Sequence, residues 1–243
     1  MRAPVLAVLA LLSLSACTRA DDDAFGQKVR AYLLEHPEVL EEAVRKLDET
    51  RAAETAAVQT KAVSQARAAL ERDGRDFVFG NPNGSITVVE FFDYRCGYCK
   101  AVTPEVLAMV QREGDVRFVL KEFPILPDSD TGAVGVSERA ARIAIAAKAE
   151  GKYLEVHRDL MAERALDDAA IERIVEKHGL DPAKLTEAGG SDAVDAQLTD
   201  THELARAVGV NGTPTFIVGG SVIPAADLNA LRAAIRKARP KAA

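Results

Sequence analysis

Residues 86–99 read Ile-Thr-Val-Val-Glu-Phe-Phe-Asp-Tyr-Arg-Cys-Gly-Tyr-Cys, and this run decides both the fold and the chemistry. Ile86 to Phe92 is a near-continuous apolar stretch rich in β-branched residues, the pattern of a central strand buried on both faces. A short turn follows, and then Cys96 at the start of a helix predicted over Lys100 to Arg112. Val116 to Leu120 reads as a second strand, so the order is strand–helix–strand. Unpaired backbone N–H groups and the helix dipole favour negative charge at a helix start. A cysteine placed there is expected to be a thiolate near neutral pH, and so a nucleophile. Cys99, one turn on and more buried, is expected to resolve the mixed disulfide by attacking Cys96.

The other cysteine counts support that reading. The chain has three cysteines in 243 residues, and only Cys96 and Cys99 lie in the body. A bridge closing so short a loop restrains little of the unfolded chain, so its value is chemical. Structural zinc needs four ligands, and His36, His157, His178 and His202 are scattered without ligand spacing. No resident cofactor is expected beyond the redox pair itself; Cu(I), which suits paired thiolates, stays open as a ligand. A net charge of −6 gives no reason to expect nucleic-acid binding.

The N-terminus reads as an export signal over 1–20, with Arg2 as its charge and Val5 to Leu14 as its apolar core. Leu14-Ser15-Ala16-Cys17 resembles a bacterial lipobox, which would make Cys17 the lipidated first residue. Ordinary cleavage near Ala20, ahead of Asp21-Asp22-Asp23, is the alternative. No later stretch is long and apolar enough to cross a bilayer.

Residues 21–73 read as helices. Pro37 suits the first position of a second helix, with His36 ending the first. Leu33, Leu40 and Leu47 recur every seven residues, a seam suited to another helix. From Arg51 to Ala69 the chain is alanine-rich, so its surface is expected to bury little, as a solvated helix lying along the domain or as an exposed linker between an oligomerising N-terminal piece and the catalytic domain. About fifty such residues cannot build a core alone, which favours association with partner chains.

The second part, 74–243, begins after turn-forming residues at Asp73-Gly74 and Gly80 to Gly84. Ser137 to about Val208 is nearly all helical pattern, and Thr215 to Ile223 a hairpin. Asp227 is a candidate cap for a final helix of Leu228 to Lys237. Glu90, inside the strand before the cysteines, is either an edge residue facing water or a buried carboxylate relaying the proton of Cys99. Lys121 is expected to share that surrounding shell.

Phe91 to Cys99 resembles the active-site segment of the DsbA family of thioredoxin-fold proteins, and Val210-Asn211-Gly212-Thr213-Pro214-Thr215-Phe216 resembles its cis-proline loop. The resemblance covers about Gly80 to the C-terminus and implies an α/β thioredoxin fold with a helical insertion at about 131–208. It makes Thr213-Pro214 a cis bond beside Cys96, where the Thr213 backbone pairs with an extended substrate. Tyr32 to Leu40 together with Cys96-Gly97-Tyr98-Cys99 is similar to the ScsC (suppressor of copper sensitivity) group. That likeness implies an N-terminal stalk that makes homotrimers, a periplasmic location, and disulfide isomerase or reductase activity on misoxidised envelope proteins. A membrane redox partner would keep the pair reduced. Gly97-Tyr98 lacks the histidine of the oxidising members, and Thr213 replaces their valine, which points away from oxidation. A monomeric dithiol oxidase and a Cu(I)-binding protein are the alternatives.

Overall fold

The computed structural model describes residues 14–128 and 135–240, with side chains from Asp23 onward. The apolar core of the expected export signal lies almost wholly outside these residues. Cys17 is described only as helical backbone, within a helix that runs through the expected signal boundary. The chain divides between Ala56 and Ala57 into two compact units.

The first unit holds helix α1 (Leu14–Glu35) and the first part of α2 (Glu38–Gln65). The break falls at His36-Pro37, as the sequence predicts, because proline cannot continue the hydrogen-bond ladder of a preceding helix. His36 N–H closes α1 on the Tyr32 carbonyl at 2.8 Å. Phe25, Val29, Tyr32, Leu34, Leu40, Val44 and Leu47 are all exposed in the single chain.

The second unit is built on a five-stranded sheet of order β1-β3-β2-β4-β5. Its strands are β1 (Phe77–Gly80), β2 (Ile86–Phe92), β3 (Val116–Glu122), β4 (Thr215–Val218) and β5 (Ser221–Pro224). β2 and β3 are parallel, joined through α4 (Gly97–Glu113), and the other neighbours are antiparallel. Helices α5 (Gly135–Ala149), α6 (Tyr153–Ala162), α7 (Asp168–Lys177), α8 (Pro182–Gly189) and α9 (Asp192–Ala207) form the insertion between β3 and β4. The last helix, α10 (Leu228–Ala238), is capped by Asp227, whose carboxylate accepts from Asn229 and Ala230 N–H. This is the thioredoxin topology with a helical insertion, as expected; β1, a short edge strand, adds to the elements predicted.

Alternation along β2 divides the core. Val88 and Phe92 face the large cluster with α4, the insertion and α10, while Val89 and Phe91 face the other side. That second side is where the alanine-rich segment goes. Val63 of α2 and Leu70 of the short helix α3 (Arg67–Glu71) are buried against Val89, Phe91, Val119, Val208, Val210 and Ile217. Of the two readings of 51–69, the mostly solvated helix lying along the domain fits its last turns, and the exposed linker is corrected from Ala57 onward. Its last turns belong to the second unit, because alanine lets a helix lie close and two larger side chains then suffice to fill the seam.

Lys121 also lands on this second side. The register pairs Glu90 with Leu120 and Phe91 with Lys121, so Glu90 and Lys121 point to opposite faces of the sheet. Lys121 forms a buried ion pair with Asp76 at 2.5 Å and donates to the Ala69 carbonyl at 2.7 Å. Arg117 donates to the Glu71 carbonyl, and Lys148 to those of Gly74, Arg75 and Asp76. Three cations thus hold the carbonyls that α3 and its exit leave unpaired. Lys121 fastens the helix base and is not part of a shell shared with Glu90.

The docking of α3 sets an expectation for stability. Leu70→Ala should lower the unfolding free energy by about 2–5 kcal/mol, since Leu70 is a buried core leucine. Val58→Ala, on an exposed face of α2, should change it by less than ~0.5 kcal/mol. Urea denaturation of the two variants checks this; equal effects would contradict the docking.

Candidate active site

β2 ends at Phe92, and the chain turns through Asp93-Tyr94-Arg95 before α4 begins. Asp93 builds this turn. Its carboxylate accepts from Arg95 N–H at 2.7 Å and the Ser137 hydroxyl at 2.8 Å on one oxygen. The other oxygen accepts from Ile125 and Leu126 N–H at 2.8 and 3.0 Å. One buried side chain therefore joins the active turn, the segment after β3 and the first turn of α5. Its backbone carbonyl also receives Cys96 N–H at 3.1 Å.

Cys96 is the N-cap of α4, and its sulfur accepts from Cys99 N–H at 3.4 Å. A sulfur replaces the usual oxygen cap. Cys96 is only 6% exposed and Cys99 is fully buried, whereas Tyr98 between them is 72% exposed. Thr213-Pro214 is cis, and the protonated Cys96 thiol donates to the Thr213 carbonyl at 3.2 Å. Sequence-distant Thr213 and Pro214 are thus brought against the cysteine pair. Gly97, the other motif residue, has open space where a Cβ would stand.

The electrostatics separate the two sulfurs. Hydrogen bonding from the Cys99 side chain pulls the Cys96 pKa down from 9.0 to about 5, against the opposing effect of burial; the Thr213 side chain and the N–H groups of Cys99 and Tyr98 add to the pull. The same hydrogen bond, together with burial and the Glu90 carboxyl, pushes Cys99 far above the ordinary thiol range. Glu90 is 2% exposed, and its Oε1 has no hydrogen-bond partner among the described residues. Burial first, and the Cys96 charge second, raise its pKa to about 8. Of the two alternatives for Glu90, the structure gives the buried carboxyl.

A second buried cluster on this face was not foreseen. Glu122 accepts from Tyr94 at 2.9 Å and Tyr153 at 2.6 Å, and the Tyr94 oxygen lies 3.0 Å from His157 Nδ1. Burial lowers His157 to about 3, so the ring is neutral, and raises Glu122 to about 8 despite the tyrosine hydroxyls. With Nδ1 carrying the proton, His157 donates to Tyr94, which in turn donates to Glu122. The tyrosine two residues before Cys96 is thereby tied to the insertion. Lys100 does similar work, donating to the Leu160 and Glu163 carbonyls at the end of α6 at 2.9 and 2.6 Å. Among the described residues no group of three or more His, Cys, Asp or Glu gathers to hold a metal.

Comparison with known proteins places this geometry. The model of the DSBA-like thioredoxin domain matches residues 87–236, and that of the copper resistance protein ScsC N-terminal domain matches residues 21–54. The chain is 31% identical over 147 residues to the Na(+)/H(+) antiporter NhaA 3 of Salinispora tropica, covering 60% of this chain and 22% of that protein. It spans about a quarter or less of the antiporters among its curated relatives. The crystal structure of Salmonella enterica Typhimurium BcfH is 31% identical, covering 93% of this chain and 99% of that one, with a TM-score of 0.75. A thioredoxin-like oxidoreductase from Silicibacter pomeroyi DSS-3 is 37% identical, covering 73% and 99%, with a TM-score of 0.66.

The depressed Cys96 pKa links the site to folding stability. Its thiolate favours the folded reduced protein at pH above the unfolded value near 9, and that contribution is lost as pH falls through about 5. Glu90 and Glu122 act oppositely: their raised values favour the fold at low pH, and this contribution fades from about 4.5 up to about 8. The disulfide form lacks the thiolate contribution and the smaller part of the Glu90 shift that the thiolate causes, while the part due to burial remains in both forms. The stability of the reduced form relative to the oxidised form should therefore increase as pH rises from 5 toward 9. Denaturant unfolding of both forms across that range measures it, and a difference independent of pH would contradict the assignment.

Proposed function

The chain belongs to the DSBA-like thioredoxin family, and from that premise we propose that it is an envelope thiol–disulfide oxidoreductase working chiefly as a disulfide isomerase or reductase. The observation that carries this reading is the Cys96 sulfur, capping α4 with a lowered pKa and facing the Thr213 carbonyl. The Cys96 thiolate attacks one sulfur of a substrate disulfide. That S–S bond breaks, the second substrate sulfur leaves as thiolate, and a mixed disulfide forms. If the freed thiolate or another substrate thiol attacks back, pairing is changed with no net electron transfer. If Cys99 attacks Cys96 instead, the substrate leaves reduced and the Cys96–Cys99 disulfide forms. Glu90, buried on the same face and coupled to Cys99, is the group proposed to take that thiol's proton.

The direction rests on what surrounds the thiolate. Gly97-Tyr98 supplies no cation, and the Lys100 ammonium is already committed to two carbonyls. Cys96 thus depends on hydrogen bonds alone, which supports a couple less oxidising than that of DsbA. The exposed apolar side chains of the first unit support self-association of the stalk, proposed as a homotrimer. Such an assembly would offer several thiolates to one client. A periplasmic location, lipid anchoring through Cys17 and a membrane donor of electrons complete the proposal.

Monomeric oxidation is the competing reading, and reactivation of scrambled ribonuclease against oxidation of reduced ribonuclease separates the two. Isomerisation should dominate, and deletion of residues 24–47 should abolish it while leaving simple disulfide reduction. A glutathione redox titration should place the couple below the about −120 mV of DsbA; a value at or above that overturns the preferred direction. Cu(I) held by Cys96 and Cys99 is a second reading, favoured by the two soft sulfurs one helical turn apart. Copper retained through purification, without turnover on a disulfide, would establish it instead.

A further inference from the structure

Gln59 lies in the alanine-rich part of α2, about two turns before the helix meets α3, and the chemistry described so far gives it no task. Its side-chain amide donates to the Val208 carbonyl at 3.1 Å and to the Gly209 carbonyl at 3.3 Å. These two residues end α9. Val208 is its C-cap, and Gly209 adopts φ +72°, the left-handed turn that glycine tolerates. The approach is close: a Cβ on Gly209 would stand 3.0 Å from Gln59 Nε2. The chain then runs through Val210, Asn211 and Gly212 directly to Thr213, whose carbonyl receives the Cys96 thiol.

The contacts around Gln59 form a continuous line. Residues 59, 63, 66 and 70 follow helical spacing along one face. Val63, Ala66 and Leu70 pack with Val208 and Val210 in the second core cluster, so the apolar and polar contacts act on the same loop. Val210 is itself fixed by donating to the Ala205 carbonyl at 2.8 Å, and Thr215 returns a hydroxyl to the Gly212 carbonyl at 2.7 Å. Between these two ties the loop has few other anchors, and Asn211 is exposed. The Gln59 amide is the side-chain donor that reaches its upstream end.

We propose that Gln59 is a positioning residue for the thiol chemistry: its amide props the 208–214 loop so that Thr213 stands against Cys96. The base of the N-terminal helix is thereby a working part of the active site. This rests on the reading of Cys96 as the nucleophile. Removing the amide leaves two carbonyls at the end of α9 without that donor and lets Thr213 drift from the sulfur. The thiolate then loses the hydrogen bond of the Thr213 side chain, which helps to hold its pKa down, and Cys96 becomes less reactive below its titration midpoint.

The test uses the reduced full-length chain and three replacements of known sign. Gln59→Ala removes the donor, Gln59→Glu sets a carboxylate against two carbonyls, and Gln59→Lys restores a donor that also suits a helix C-terminus. Ultraviolet thiolate absorbance against pH gives the Cys96 midpoint, and iodoacetamide gives its alkylation rate. In Gln59→Ala and Gln59→Glu the midpoint should rise, and alkylation below it should slow by about two- to tenfold, the scale of one net hydrogen bond. Gln59→Lys should stay near the parent, as should Val58→Ala on the exposed face. Unchanged midpoints and rates overturn the proposal, even if the variants unfold more easily, since that marks Gln59 as structural only. A shift of the same size in Val58→Ala also overturns it. Because both readouts concern Cys96 alone, they stand apart from disulfide exchange with protein substrates, whose absence would count against the proposed function and not against the role of Gln59.

Discussion

Holding a sulfur anion in a nearly buried place is the constraint on which the rest of this molecule depends. Burial by itself disfavours charge, so a thiolate at Cys96 requires donors that outweigh the lost water. The start of α4 supplies backbone N–H groups, Cys99 supplies its thiol, and the loop carrying Thr213 closes the far side. None of these is close in sequence to all the others. β2, the central strand, delivers the helix start at its C-terminal end in a sheet whose two faces are both covered, and β4 starts immediately after the cis-proline. Asp93 then joins the turn to the insertion through four accepted hydrogen bonds. The fold is a means of gathering donors around one atom.

The face behind the sulfurs manages charge in a complementary way. Glu90 and Glu122 are both buried there, and each is held toward the neutral acid. For Glu90 the thiolate of Cys96 is one of the two causes. Forming the Cys96–Cys99 disulfide removes that charge and so makes the carboxylate of Glu90 easier to form. Reduction restores it and favours uptake of a proton at Glu90. Electron transfer at the sulfurs is thereby coupled to proton transfer at a carboxyl on the same side of the sheet, which keeps the buried charge low in both redox states.

The strand Ile86–Phe92, the hairpin, the final helix with its Asp227 cap and the run of helices in the insertion were legible because each carries a local signal, whether a period, a cap or a turn pair. Phe77–Gly80 was not, since four residues between turn clusters are too few to show alternation. The side on which Lys121 points was missed for a different reason. Period two assigns residues of one strand to alternate faces, but the relation between Glu90 and Lys121 depends on the register of β2 with β3, which only the pairing reveals. The Tyr94–Glu122–Tyr153–His157 cluster joins three segments far apart in the chain. Glu122 itself gave little local hint, because it ends a strand that also carries Arg117 and Lys121, whereas Glu90 stands alone among apolar neighbours.

The alanine-rich helix base shows most clearly why composition misleads about burial. Averaged over 51–69, the segment offers too little apolar surface to drive docking, and that reasoning holds for a helix seeking a partner of similar size. The sheet face it meets is already apolar, through Val89, Phe91, Val119 and Ile217, and must be covered whatever covers it. A helix with small side chains then has the advantage of close approach, so that Val63 and Leu70 reach into the face while the backbone carbonyls come within range of Lys121 and Arg117. The driving force lies in the surface being covered, and the helix contributes fit. The same closeness brings the Gln59 amide to the end of α9, so the economy of side chains that hid the docking from the sequence is also what puts this helix within reach of the loop that faces the reactive sulfur.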